Sequence, residues 1–135
     1  MSGVQPAAAL TDLLLAAAAL AFGWTLPAGP RPRNARLWRV GFFLAAAAAA
    51  GGTFFHAGLR AAALWELILL VLGATAGFFV AAAITQPYSA WLGAGLVITL
   101  AALGVQQSPL PAHNVVFHLA EIAALYCFFR GARSG

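Results

Sequence analysis

The sequence predicts an all-α membrane bundle of five transmembrane helices. Two observations lead there. Hydrophobic residues make up 63% of the 135 residues, and charged residues only 7%; a soluble domain carries about 25% charge. The apolar residues also fall into five runs, most near the roughly 20 residues a helix needs to cross the hydrocarbon core. Disorder is excluded by the amount of apolar surface to be buried. The length suits a single transmembrane domain over 1–135.

The runs cover about 7–26, 38–59, 61–85, 88–106 and 112–129. Lipid offers the backbone no partners, so each must be helical. Pro27, Gly29, Pro30 and Pro32 end the first and stiffen the loop after it. Gly58, Leu59 and Arg60 make a very short second link. Gln86, Pro87, Tyr88 and Ser89 turn the chain before the fourth run. Ser108, Pro109 and Pro111 do so before the fifth. Links this short predict that each helix runs antiparallel to the last and lies beside it. Trp24, Trp38, Trp65 and Trp91 fall near helix ends, as interfacial anchors would. The alanine run 45–50, followed by Gly51 and Gly52, suits close helix packing. Cys127 is the single cysteine, which leaves no internal disulfide.

The seven basic residues are all arginine. Arg31, Arg33, Arg36 and Arg39 lie in or beside the first loop, and Arg130 and Arg133 lie in the tail. Five spans place these two regions on one side and Arg60 on the other. The positive-inside rule then predicts an outside N-terminus and a cytoplasmic C-terminus, in a multi-pass protein of the cell inner membrane. A pI near 10.7 does not imply nucleic acid, because no polybasic cluster with interleaved aromatics is present. The expected partners are the bilayer and a further copy or a larger membrane complex.

On this topology Asp12, Glu66, Glu121, His56, His113 and His118 all map to the outer half of the membrane. A buried charge there costs about 2.5–3.5 kcal/mol, so such side chains face inward and find partners. Asn114, His118 and Glu121 follow i, i+4, i+7 and share a face of the last helix. His113 lies roughly 140° from His118 and joins them only if the helix start loosens. Three readings of the cluster stay open. It is interhelical glue in a non-catalytic subunit or scaffold. It is a metal site, since imidazoles plus a carboxylate suit zinc. Or His56 and His118 bind haem axially from facing helices, or the cluster relays protons.

The stretch Gly51-Gly52-Thr53-Phe54-Phe55-His56-Ala57-Gly58-Leu59 resembles the second-helix motif of the CREST superfamily, which includes alkaline ceramidases, progestin/adipoQ receptors and hemolysin III-like proteins. That motif is a Ser, three residues and a His. Glu66 stands near the family's acid, and Asn114 to Leu119 resembles its last-helix H-x-x-x-H. The resemblance implies a zinc-dependent intramembrane hydrolase of a lipid amide or ester. It implies His56, His118 and His113 as metal ligands, with Asn114 in the third place otherwise. Glu66 or Glu121 would move the proton, Thr53 would donate to the oxyanion, and Asp12 would support. The family has seven helices and this chain five; its Ser is Gly52 here, and its H-x-x-x-H is not intact.

Overall fold

The computed structural model describes residues 4–134. They form five helices: α1 Pro6–Thr25, α2 Pro32–His56, α3 Ala62–Ile84, α4 Ala90–Gln106 and α5 His113–Ser134. Helices α1, α2, α3 and α5 are long and apolar enough to cross a membrane, which marks a multi-pass membrane protein. The 17 residues of α4 rise only about 26 Å at 1.5 Å each.

Two boundaries differ from expectation for one reason. Helix α2 begins at Pro32 rather than Trp38, and α5 continues to Ser134 rather than stopping at Phe129. The added turns carry arginines, which an apolar window discards but a helix keeps once past the hydrocarbon. Pro32 opens α2, where a missing N–H costs nothing. Arg33, Arg36 and Arg39 therefore stand on helix, not in a loop. The Arg39 Nε–H donates to the Leu26 carbonyl at 3.1 Å, satisfying a backbone group at the end of α1.

The neighbour order also differs. Helices α1 and α2, α2 and α3, α4 and α5, and α1 and α5 pack together, while α3 and α4 do not rank among the packed pairs. Their link is short, so their ends meet, but their bodies diverge. The ring of helices runs α3, α2, α1, α5, α4 and is open between its first and last members.

One end of the bundle is closed by aromatics. Trp38 and Phe42 are fully buried. The Trp38 ring lies 5.2 Å from Phe79 and 6.1 Å from Phe128, and Phe79 lies 5.4 Å from Phe128. Trp38 is thus a core residue, not the interfacial anchor its position suggested; Trp24, 79% exposed, keeps that role. Polar side chains tie this end. Trp38 Nε1–H donates to Gln86 Oε1 at 2.8 Å, and Gln86 Nε2–H donates to the Gly131 carbonyl at 3.0 Å. Asn34, buried, donates to the Ala82 carbonyl at 2.6 Å and to Thr85 Oγ1 at 2.8 Å. Towards the opposite end the helices part and leave a cavity.

Candidate metal centre

The cavity has a volume of about 330 Å³ and draws on all five helices. Its floor is Phe79 and Phe128, and alanine and leucine side chains alternate with polar ones on its walls. Leu72 of α3 and Leu103 of α4 line it while staying 45% and 47% exposed. They stand on either side of the gap between α3 and α4.

Three ionisable side chains meet inside. Asp12 lies on α1, His56 is the last residue of α2, and His118 is on α5. Each offers one ligand atom, and the three atoms lie within 4.8 Å of one another. His118 Nε2 is 3.1 Å from Asp12 Oδ1, and His56 Nε2 is 3.7 Å from Asp12 Oδ2. Asp12 is 4% and His118 5% exposed. Asp12 Oδ2 and His56 Nδ1 are buried without a hydrogen-bond partner.

Local sequence explains the placement. Pro6 opens α1, and the Gln5 N–H donates to the His56 carbonyl at 3.0 Å. That bond satisfies one of the orphan carbonyls at the end of α2 and sets α1 against it. Helix α2 stops because Gly58 follows with φ +122°, a conformation other residues rarely adopt. Gly52 makes the close approach possible. A Cβ there would lie 2.6 Å from Asp12 Oδ2 and 2.9 Å from its Cγ. The glycine standing where the resembled motif has serine is therefore the cradle of a carboxylate.

Thr11 adds an orienting contact. Its Oγ1 is 2.9 Å from His118 Nδ1 and 3.0 Å from the Ala7 and Ala8 carbonyl oxygens. Hydroxyl and ring share one hydrogen bond that fixes the imidazole's direction, as a metal ligand's second nitrogen usually requires. A further polar chain closes the mouth. Gln106 Nε2–H donates to Asn114 Oδ1, and Asn114 Nδ2–H donates to Gln5 Oε1, both at 3.0 Å.

The expected residues divide accordingly. His56, His118 and Asp12 converge, and Glu121 lines the same cavity one turn deeper on α5. Asn114 serves the mouth as a structural link. His113 does not join: its Nδ1–H donates to the Leu110 carbonyl at 2.7 Å on the surface. The α5 helix starts at His113 itself, so the 140° offset holds. Glu66 is exposed on α3 and takes no part in the lining. A turn separates it from His56, so their ten-residue spacing carries no helical phase. Thr53 donates to the Ala49 carbonyl at 3.1 Å and also lies outside the lining. Asp12, expected only to support, is the third member of the group. Thr11 was missed; its one sequence signal is adjacency to the single acid of the first span.

Residues 7–89 match the model of a family of unknown function, DUF6962. The chain belongs to that family. The matched segment of this DUF6962 member holds α1 to α3, and with them Asp12, Gly52 and His56, while His118 lies beyond it. No curated protein and no solved structure matches the chain.

Proposed function

We propose that this protein is a zinc-dependent intramembrane hydrolase of a lipid amide or ester, with the ion held by Asp12, His56 and His118. The carrying observation is the proton arithmetic around His118. Thr11 has one hydroxyl proton. The other helix threonines with a hydrogen bond, at 25, 53, 75 and 85, all donate to the carbonyl four residues back. Thr11 doing the same accepts from His118 Nδ1–H, which leaves Nε2 with a lone pair facing Asp12 Oδ1 at 3.1 Å. Two acceptors at that distance need a proton or a metal ion between them, and a metal ion is the occupant that the neighbouring His56 ring would also serve.

The donor set suits the ion. Two imidazoles and a carboxylate are a known catalytic zinc set with one open position. Bonds of about 2.0–2.1 Å hold tetrahedral neighbours about 3.3 Å apart, and the three ligand atoms, within 4.8 Å of one another, reach that spacing by closing in by about 1.5 Å at most. The Asp12 carboxylate occupies the space between the two imidazoles that a haem plane would need, which favours a small ion. Interhelical glue, worth about 0.6 kcal/mol per contact, would not leave Asp12 Oδ2 unpaired, whereas a bound ion would occupy it.

In this reading Asp12, His56 and His118 hold the ion, Thr11 orients His118, and Gly52 admits Asp12. When bound, zinc lowers the pKa of a water to about 7. Glu121, on the cavity wall one turn below His118, would take a proton from the attacking water and return it to the departing nitrogen or oxygen, so that water's OH ends on the acyl carbon and its H on the leaving group as the C–N or C–O bond breaks. The acyl chain lies in the cavity, reached between Leu72 and Leu103. This arrangement keeps the CREST-like chemistry with Asp12 in place of a third histidine. Six arginines on the aromatic end support a cytoplasmic face there, with the metal end outward in the inner membrane.

Metal analysis of the detergent-purified protein tests the proposal, paired with release of fatty acid from long-chain amides and esters. About one zinc per chain, lost in Asp12→Asn and His118→Ala, and chelator-sensitive release are expected. Metal-free wild type, or unchanged metal in both variants, refutes it. Lower thermal stability in the variants without metal loss would mark the cluster as glue.

A further inference from the structure

Helix α4 supplies nothing to the metal group, yet it aims two unpaired polar atoms into the cavity. Thr99 Oγ1 and Gln106 Oε1 are buried without a hydrogen-bond partner, and both residues line the cavity. They stand seven residues apart, so they share one face. Thr99 is the exception among the helix threonines, the others being bonded to their own backbone. An unpaired buried hydroxyl costs stability and is kept where something else pairs with it.

The depth of Thr99 follows from the mouth contact. Gln106 bonds to Asn114, and α4 and α5 run antiparallel. Counting back seven residues from Gln106 reaches Thr99; counting on four from Asn114 reaches His118, and seven reaches Glu121. At 1.5 Å per residue, Thr99 is about 10.5 Å below the mouth and His118 about 6 Å. Thr99 thus lies about 4.5 Å deeper than the metal group, on the wall beside α5. Gln106 lies about 6 Å above it, at the mouth. The two atoms bracket the reacting level.

We propose that Thr99 is a specificity-determining residue that selects a lipid whose acyl chain carries a hydroxyl near its fourth or fifth carbon. The proposal rests on the hydrolase reading above for the position of the carbonyl. An extended chain advances about 1.2 Å per bond, so 4.5 Å of depth spans three to four bonds from a carbonyl at the metal group. A hydroxyl there gives and accepts one hydrogen bond with Thr99. The surrounding wall is Leu103, Leu125 and Phe128 with Glu121 at the same depth, its Oε1 likewise buried without a partner, so an unsubstituted chain leaves both polar atoms unpaired. Gln106 Oε1, an acceptor, is placed for an N–H or O–H of the head group.

The test is binding, not turnover. Displacement of a fluorescent long-chain probe from the purified protein would be measured with hexadecanamide, 4-hydroxyhexadecanamide and 12-hydroxyhexadecanamide. The variants are Thr99→Val, which keeps shape, and Thr99→Ser, which keeps the hydroxyl. Comparing each variant's affinity ratio with that of wild type cancels differences in micelle partitioning. A preference of about tenfold for the 4-hydroxy chain over the plain one is expected, absent for the 12-hydroxy chain. Valine abolishes it and serine retains it. Equal affinities in wild type, no displacement by any of the three, or an unchanged ratio in Thr99→Val overturns the proposal. Zinc is measured in the same samples. A metal-free protein that still shows the Thr99-dependent preference sinks the hydrolase reading but not the subsite; a zinc protein without the preference does the reverse.

Discussion

Replacing Gly52 by alanine separates a built carboxylate site from an accidental meeting of polar side chains. The new Cβ would stand 2.6 Å from Asp12 Oδ2 and 2.9 Å from Oδ1. Ordinary contact begins near about 3.5 Å, so the carboxylate must retreat by roughly 0.6–0.9 Å. It has little room to do so, being 4% exposed and held to His118 at 3.1 Å. Moving away lengthens its 3.7 Å approach to His56. Overpacking of this size costs about 1–3 kcal/mol, and alanine's better helix propensity returns roughly 0.5–1. Net destabilisation is therefore about 0–2 kcal/mol, while metal affinity falls about 10–100-fold, as when a ligand's support is lost. Gly104→Ala is the control, because nothing lies within 4 Å of a Cβ there; it leaves metal binding unchanged and is neutral to slightly stabilising. Chelator competition and thermal unfolding read both quantities. Wild-type metal affinity in Gly52→Ala would refute the reasoning.

Three other outcomes follow from the same geometry. Thr11→Val removes the partner of His118 Nδ1 and should weaken metal about 10–100-fold with little change in melting temperature, checked by the same competition. His113→Ala and Glu66→Gln should leave metal content at the wild-type level by mass spectrometry, since neither residue reaches the cavity. Gln86→Leu cuts the bonds to Trp38 and Gly131; at about 0.6 kcal/mol per interhelical bond it should lower thermal stability by about 1 kcal/mol and spare the metal group.

Particular residues show how far the sequence could be read. His118 and Glu121 were placed on one face correctly, because a three-residue spacing within one helix is an angle. The same count excluded His113 unless the helix start loosened, and it does not loosen. Glu66 failed as a partner of His56 because a turn lies between them and erases the phase. Asp12 was seen as costly and inward-facing, but its rank as a ligand depended on the rotation of α1 about its axis. Trp38 was misread because α2 extends two turns further into the arginines, which puts the indole inside the bundle instead of at its rim.

The sequence alone determined the helices, their number and the single end at which acids and histidines collect. Hydropathy is a property of neighbours along the chain, and short links force alternation, so these features need no knowledge of packing. Tertiary structure decided which polar residues meet. Contact between helices depends on axial rotation and on how closely two backbones approach, and both are set by side chains distant in sequence. Gly52 lets the Asp12 carboxylate lie against α2, the Trp38–Phe79–Phe128 cluster holds one end shut, and α3 parts from α4 beyond it. Those packing choices brought three of six scattered ionisable residues together beside an apolar cavity.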